Sequence, residues 1–589
     1  MPAGSRFVEF RLDPASRVKV DFAVKEWLGW WFLALVPRLL YNLQLFFSDP
    51  LYHIPTGDAI TYVNHGLAFK SGIWLIHSDV FHKSPFYTYF LGGVFWLFGR
   101  DFTAVRIIQA ALDAASCVLL FQISLRLYHN YRVGLITFIL ACFYAPLLVY
   151  TGQLLPTTWA VFFELLLLWK LTGAALKESP PRRFPIFYLG ILLGLLVIAR
   201  ANFLLALPLL AWWLVFKTAG PDGFKPRLIR GTVFLLGLFL VILPVTVRNY
   251  YVSGDYVLIN DLGGINFFIG NDPGYPPYIG GWLPSPTWNR IYNTPFKLGI
   301  AKASRRTSFY YRAALKSFWK YPLAHVRRLL EKIRLFFSSY EIANNCNLHR
   351  LRKHSSLLRF LSPQVGFFYF PYGLVVSLFF IGCFYYREKE TVPLYLLWTA
   401  GFLTCVLFFN TSRYRLPGAV LMLLPAAASL KALKLKRGFV IILIGAAILF
   451  NLTPPKDLHP YPEDHYLATD KLAQHQYPEA LNRFLRNLDR HPDKIRGYQS
   501  LGEFYLSRNN LRKAEEIFRK IPEKTDNPDW LFFSYVALAT IYKRQGRIKP
   551  GLYKKIVELN PDQAFYKGQP YFQMGSGRPS IAYFIRNIN

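Results

Sequence analysis

The sequence is poor in several residue types, and each shortage excludes a class of protein. Only five of its 589 residues are cysteine, and none forms a CxxC pattern, which excludes a disulfide framework. Charged residues make up 17% of the chain, against about 25% in soluble domains, so a single large soluble core is excluded. The chain has no glycine-rich nucleotide-binding loop and no recognisable nucleophilic triad, which argues against a cytoplasmic enzyme that uses a nucleotide-linked substrate.

Acidic residues are also scarce: 34 Asp and Glu face 68 Lys and Arg, a formal net charge of +34. Such an excess fits nucleic acid, anionic lipid or a phosphate-bearing substrate as a partner. The basic residues stand at the ends of apolar segments rather than in one arm, and no nucleic-acid-binding signature is present. The pattern therefore favours a membrane and lipid phosphate, and no nucleic acid is expected as a partner.

Apolar residues are abundant, at 53% hydrophobic and 17% aromatic, with a mean hydropathy of +0.23. A spanning helix needs about 20 mostly apolar residues. The sequence predicts an all-α, polytopic membrane protein with about eleven spans. They are 27–48, 103–125, 133–151, 156–176, 184–200, 202–217, 231–248, 364–386, 392–410, 415–431 and 437–453.

The short basic loops set the predicted orientation, because Lys and Arg collect on the cytoplasmic side. Residues 1–26 are mixed in charge and resemble a cytoplasmic segment before a retained anchor, not a cleavable signal. The protein is expected in the plasma (inner) membrane, with loops 49–102 and 249–363 and everything after Pro454 outside. The apolar stretch Phe86–Gly99 is too short to span and is predicted to be interfacial or re-entrant. The membrane domain is predicted to cover 27–454.

Two further parts are predicted outside the membrane. Residues 296–353 are helical in pattern, basic and aromatic, which is typical of juxtamembrane helices on a lipid surface. A more specific interpretation is that these helices guide the anionic head group of a lipid. Residues 455–589 turn soluble, and within 463–563 Ala480 and Ala514 stand 34 residues apart, the period of tetratricopeptide (TPR) repeats. This α-solenoid is expected either to dock a protein or glycan acceptor or to act as a rigid cap.

The most informative stretch is Pro55–Pro85, a polar segment between apolar ones. It contains Asp58 and Tyr62 one helical turn apart, the step Gly72-Ile73-Trp74-Leu75, and Lys83-Ser84-Pro85 before an aromatic helix. These motifs resemble the first external loop of the GT-C membrane glycosyltransferases, the branch with protein O-mannosyltransferases and lipid A aminoarabinose transferases (family 39 type). The resemblance extends over about 27–435.

The resemblance implies a transferase that moves a sugar from a polyprenyl-phosphate donor, with Asp58 as the catalytic base. A carboxylate near the acceptor hydroxyl can accept its proton, and Lys83 would hold the donor phosphate, with Tyr62 and His82 beside it. The alternative for Asp58 is a structural one, as part of an ordinary helix start in Thr56-Gly57-Asp58.

Two positions depart from the family pattern. His82 stands where some relatives carry an acid that helps to bind a metal, so a divalent metal ion is only a possible cofactor; His77, Asp79 and His82 could form such a site. Thr157 stands where a second carboxylate is common. The function of the second acid is therefore either missing here or supplied by Asp101, Asp261 or Asp272.

Further substrate-binding candidates lie at outer helix ends. The motif after Arg248 resembles a bacterial family loop, and its glycines are expected to permit tight turns near a ligand. Each arginine could instead reach to the interface as an ordinary surface side chain. The candidates are Arg200, Asn266, Asn271, Asp272, Arg413 and Arg415.

The sequence therefore predicts an integral membrane glycosyltransferase with an external TPR tail. Three alternatives stay open: a ligase that moves a whole lipid-linked glycan, a transporter of lipid-linked sugars, and a non-catalytic scaffold carrying the repeats. A transporter would show internal symmetry between its halves, and no clear repeat is visible. Buried Asp113 and Glu164 are expected to pair within the bundle.

Overall fold

The computed structural model describes residues 23–76, 79–175, 183–216, 223–278, 285–366, 368–385, 389–432, 463–547 and 549–559, with isolated positions between 445 and 451. The described chain is mostly helical, as predicted. One departure is a small hairpin, β1 (Gln364–Val365) and β2 (Phe368–Tyr369), paired antiparallel. It replaces the first turns of the predicted span 364–386, whose helix begins at Tyr372.

The first nineteen α-helices follow in chain order, joined by two short 3-10 helices, Ala201–Leu205 and Lys389–Thr391. They are α1 Val24–Ser48, α2 Asp58–Lys70, α3 Pro85–Phe98, α4 Phe102–Tyr128, α5 Tyr131–Cys142, α6 Ala145–Thr151, α7 Thr157–Ala175, α8 Arg183–Ala199, α9 Ala206–Phe216, α10 Phe224–Ser253, α11 Leu262–Asn271, α12 Ser285–Lys297, α13 Ala303–Lys320, α14 Pro322–Phe337, α15 Leu348–Leu351, α16 Ser356–Leu361, α17 Tyr372–Tyr385, α18 Val392–Leu407 and α19 Ser412–Ala432.

Two of the described helices, α4 and α10, are long and apolar enough to cross a membrane. Helices α5 and α6 meet the same criterion together but are bent by 50° at their junction, so they add a third span only if the bent pair counts as one. Several shorter apolar helices accompany them. The predicted total of eleven stays a prediction, and most of the predicted span 437–453 lies outside the described residues.

Membrane helices pack closely where small residues meet. A Cβ on Gly190 of α8 would lie 2.1 Å from the Phe234 carbonyl oxygen of α10, and a Cβ on Gly237 would lie 2.1 Å from that of Phe187. Only glycine allows the two backbones this approach, as is common between membrane helices. The contact ties α8 to α10 and fixes the position of the loop that follows α10.

The buried acids of the bundle behave differently from each other. Asp113 of α4 pairs with Arg38 of α1 at 2.9 Å, and both side chains are almost fully buried. Glu164 of α7 is also buried, but its carboxylate oxygens have no hydrogen-bond partner in the described part of the chain. The expected pairing therefore holds for Asp113 and not for Glu164.

The described residues from 463 to 559, here called the C-terminal unit, form a run of amphipathic helices with its own apolar core, in which Ala480, Phe484, Ala514 and Phe518 are buried. Consecutive helices pack against each other along the chain. The TPR assignment itself stays a prediction. The helices are α20 Glu463–Ala473, α21 Tyr477–Arg490, α22 Ile495–Ser507, α23 Leu511–Arg519, α24 Pro528–Arg544 and α25 Pro550–Leu559.

Candidate active site

Asp58, the first residue of α2, lies at the centre of a cluster drawn from four distant segments. Its Oδ1 lies 2.6 Å from Lys83 Nζ, and its Oδ2 lies 2.6 Å from Arg413 Nη1. The Nδ2 group of Asn345 donates to the same Oδ2 at 2.8 Å. The carboxylate thus holds two cations and an amide, while its side chain stays 23% exposed.

The backbone around Asp58 is shaped by Gly57 and Asn345. Gly57 adopts a φ of 57°, a left-handed conformation that glycine accepts readily. The backbone N–H of Asp58 donates to Asn345 Oδ1 at 2.9 Å, and a Cβ on Gly57 would lie 2.2 Å from that same oxygen. Asn345 therefore holds both the main chain and the side chain of Asp58, in space that only glycine leaves open.

The charges around Asp58 decide its protonation. Burial alone would raise the pKa of Asp58, but the Lys83 ammonium and the Arg413 guanidinium outweigh burial and hold that pKa well below its ordinary value. Burial would lower the pKa of Lys83, and the Asp58 carboxylate instead raises it. The group is therefore an ionised ion pair across the physiological pH range.

Tyr62 and Arg200 lie next to this cluster. Tyr62 is buried one turn after Asp58; its hydroxyl accepts from the backbone N–H of Ser84 at 3.3 Å, and burial raises its pKa. Arg200 does not reach Asp58. Its Nη1 donates to the backbone carbonyl of Arg413 at 2.8 Å, and its guanidinium lies 4.4 Å from the Tyr414 ring centroid. Arg200 therefore contacts the main chain of Arg413 rather than the Asp58 carboxylate.

A second carboxylate, Asp261, lies beside His82, the residue before Lys83. Asp261 Oδ1 lies 2.7 Å from His82 Nδ1, and Oδ2 lies 3.0 Å from Arg306 Nη2. Burial alone would raise the pKa of Asp261; His82 and Arg306 lower it. Of the three candidates for the second acid, Asp261 is the one bonded to a neighbour of Lys83, whereas Asp101 accepts from the backbone at the start of α4 and Asp272 accepts from Gly274.

The residues around His82 do not fit a divalent metal ion. The His82 Nδ1 atom is bonded to Asp261, and the Arg306 guanidinium occupies the other oxygen of that carboxylate. A cation there would be opposed by the arginine. In the described ranges no group of three His, Cys, Asp or Glu side chains is arranged for metal binding; His77 of the expected site lies outside them.

Arg415, also predicted as part of a phosphate clamp, lies apart from Asp58. It is almost fully buried, donates to the Ser338 and Tyr340 carbonyl oxygens at 2.6 and 3.1 Å, and pairs with Glu341 at 3.0 Å. Positions two apart on a helix project about 200° apart, so the helix that turns Arg413 toward Asp58 turns Arg415 into the protein. Its contacts are structural.

The glycine motif after α10 is a correction to the sequence prediction. Its glycines lie within α11 rather than in turns near a ligand: a Cβ on Gly264 would lie 2.4 Å from the Thr307 carbonyl oxygen, and one on Gly270 would lie 2.0 Å from that of Phe408. Asn271 donates to the Leu407 carbonyl at 2.7 Å and accepts from Lys332, and Asn266 is half-buried on the same helix. The motif thus packs α11 against α13 and against the end of α18, just before Arg413.

Sequence reasoning missed Asn345 and Arg306. Asn345 lies in a polar segment of the long outer loop, 287 residues from Asp58, and nothing local distinguishes it from its neighbours Asn344 and Asn347. Arg306 is one of many basic residues in a basic helix. Only the fold selects these two side chains.

Comparison with known proteins agrees with the motifs in the first half of the chain. Residues 82–247 match the family model described as dolichyl-phosphate-mannose-protein mannosyltransferase. This stretch contains Lys83 and Arg200, and the match confirms the predicted resemblance to the GT-C superfamily. No curated protein matches the sequence significantly.

Two solved structures of ArnT from Cupriavidus metallidurans are similar to this chain. The structure bound to undecaprenyl phosphate is 14% identical, with a TM-score of 0.38, covering 85% of this chain and 81% of that chain. The apo structure is 13% identical, with a TM-score of 0.30, covering 73% of this chain and 78% of that chain.

Proposed function

We propose that the chain is a membrane glycosyltransferase of the GT-C type, which moves a sugar from a polyprenyl-phosphate-linked donor to a hydroxyl group of a lipid, glycan or protein acceptor. The observation that carries the proposal is the Asp58 carboxylate held at 2.6 Å by both Lys83 and Arg413. A base and two phosphate-binding cations are the groups that this transfer needs. The matched family, described by a polyprenyl-phosphate sugar, supports the donor class.

In the proposed step Asp58 takes the proton of the acceptor hydroxyl as its oxygen bonds to the anomeric carbon. The bond from that carbon to the phosphate oxygen breaks, and polyprenyl phosphate leaves with the electron pair. Lys83 and Arg413 neutralise the charge that develops on the leaving phosphate, a stabilisation that is largest in the transition state. A single displacement of this kind inverts the anomeric configuration.

The ion pairs also give an order of events. With Lys83 and Arg413 on its two oxygens, Asp58 is a weak base, because a carboxylate of lowered pKa has little affinity for a proton. A donor phosphate competes for the same two cations. Once they turn to the phosphate, the carboxylate regains basicity, so the donor binds before the acceptor is activated.

The remaining partners follow from the predicted topology. We place the site at the outer membrane face, the N-terminus in the cytoplasm and the C-terminal helices outside the membrane, where they are available to an acceptor. Basic outer helices such as α13 and α14 would lie against lipid phosphate.

The test is transfer from a panel of radiolabelled polyprenyl-phosphate sugars into membrane lipid and protein fractions, for the wild type and for Asp58→Asn. Product that disappears with Asp58 supports the proposal, and the labelled fraction identifies the acceptor class. Full activity of a folded Asp58→Asn variant contradicts it. No product from any donor would favour a ligase with larger donors, then a transporter or scaffold.

A further inference from the structure

The first helix of the C-terminal unit, α20, contacts the segment that leads to Asp58. Glu463 Oε2 lies 3.3 Å from Arg350 Nη1 and 3.6 Å from His354 Nε2. One turn later, Tyr466 and Leu467 are buried against Leu51. A unit predicted to dock acceptors thus lies against the residues that precede the proposed base.

Arg350 connects this contact to the loop. Its two guanidinium nitrogens meet both oxygens of Asp49, at 2.8 and 2.7 Å, a two-pronged geometry that fixes orientation. Asp49 Oδ1 also accepts from the backbone N–H of Leu51 at 2.9 Å. Arg350 and Asp49 are 11% and 5% exposed, so the pair is shielded from solvent.

The loop also borders a small cavity of about 30 Å³, which is room for about one or two water molecules. Asp49, Leu51 and Arg350 line this cavity together with Thr56 and Ala59, which lie on either side of Asp58. The loop is therefore not packed solidly between the Arg350–Asp49 pair and Asp58.

The two segments that α20 contacts are two of those that build the Asp58 environment. Residues 49–57 end in Gly57, which presents Asp58. The segment before Arg350 supplies Asn345, which bonds the backbone N–H and the carboxylate of Asp58. A shift of either segment changes the distance between Asp58 and Asn345.

We propose that the C-terminal unit positions the catalytic carboxylate, with Glu463, Tyr466 and Arg350 as positioning residues. Asp58 is held by α20 through the Glu463–Arg350–Asp49 chain of ion pairs and the Tyr466–Leu51 contact. This inference rests on the proposed function of Asp58.

The test compares Glu463→Gln/Tyr466→Ala with Glu479→Gln in the full-length protein. Glu479 pairs with Lys471 within the same unit and serves as the matched control. We expect the double variant to lose about tenfold in kcat, with the donor KM changed less than about twofold, because misplacement of a reacting group costs rate rather than binding. Amide hydrogen exchange over 49–58 and 344–351 should rise in the double variant alone.

Arg350 supplies the conservative series. Arg350→Gln removes both hydrogen bonds to the Asp49 carboxylate and should lower kcat about 100-fold. Arg350→Lys keeps the positive charge but not the two parallel N–H donors, so it should recover part of this loss. Unchanged exchange, or unchanged kcat despite raised exchange, overturns the inference while Asp58-dependent transfer leaves the proposed function intact. Transfer that survives Asp58→Asn removes the proposed function instead, and the exchange experiment still reports whether α20 orders the loop.

Discussion

Two carboxylates in this protein are each bonded to two basic side chains, and they differ in their exposure. Asp58 is 23% exposed and bonded to Lys83 and Arg413, whereas Asp261 is 7% exposed and bonded to His82 and Arg306. His82 and Lys83 are adjacent in the chain, so one short segment contributes a side chain to the Asp261 cluster and another to the Asp58 cluster. Under the proposed function, the more exposed cluster at Asp58 is the reaction centre, and the buried cluster at Asp261 holds its segment in place.

The largest expected effect separates these two carboxylates. Asp58→Asn should lower kcat about 1000-fold, because it removes the general base. Asp261→Asn should lower thermal stability and cost activity about tenfold at most, through looser placement of Lys83. Both variants need a folding check by size-exclusion chromatography in detergent. Equal losses of kcat in the two well-folded variants would show that Asp58 and Asp261 do not differ in this way.

Gly57 tests the geometry on the Asp58 side. Gly57→Ala should lower kcat about 100-fold, because the added Cβ displaces Asn345 from Asp58. Gly254 is the control for a positive φ without a close neighbour: its φ is 62° and nothing lies within 4 Å of an added Cβ, although its ψ of 21° differs from the −128° of Gly57. Gly254→Ala should cost about 1 kcal/mol of stability and leave kcat near wild type. Initial rates and thermal unfolding of both variants decide the question.

Arg413 and Arg415 extend the comparison to two cations on one helix. Arg413→Lys should raise the donor KM and lower kcat, together about tenfold in kcat/KM, because Lys lacks the planar fork. Arg415→Lys should leave kcat of the folded protein unchanged but lower its stability by about 1–3 kcal/mol, since buried carbonyl acceptors lose their donors. A larger kinetic effect at Arg415 than at Arg413 would reverse the assignment.

Lys332 is a buried cation for which the described residues supply no paired carboxylate. Its Nζ donates to Asn271 Oδ1 at 2.9 Å and to the Val406 carbonyl at 3.1 Å; burial, with the Arg328 charge, lowers its pKa to about 7. Between this value and the ordinary value near 10.5, the unfolded chain binds more protons than the folded one, so wild-type stability rises with pH.

Lys332→Met removes that titration. Relative to wild type, the variant should be most stable at or below pH 7 and should lose this advantage as pH rises toward 10. Thermal unfolding across this range measures the difference, expected at about 3–4 kcal/mol. A difference that does not depend on pH would mean that Lys332 stays charged.

Much of the centre could be predicted because its chemistry is local in the sequence. Asp58 and Lys83 stand in motifs within one loop, and Arg413 stands at a helix end. Asn345 could not be predicted, because its role depends on a tertiary contact rather than on a pattern. Helical rotation separates Arg415 from Arg413, so the spacing of the two arginines does not show that they face different ways. The glycines of α11 were misjudged because helix packing and tight turns favour the same residue.

The fold, too, has features that the sequence predicts and features that it does not. Apolar runs predict the helices well, whereas the hairpin at 364–369 and the bend between α5 and α6 interrupt runs that look continuous. Composition alone does not show where a continuous apolar run bends.

The separation of 355 residues between Asp58 and Arg413 also determines when the cluster can form during synthesis. During synthesis Asp58 and Lys83 leave the ribosome early, while their partners Asn345 and Arg413 are still untranslated. A nascent chain therefore carries an incomplete centre until Arg413 has been made. Premature termination before residue 413 would yield membrane-inserted fragments that hold the proposed base but lack one of the two cations for the leaving phosphate.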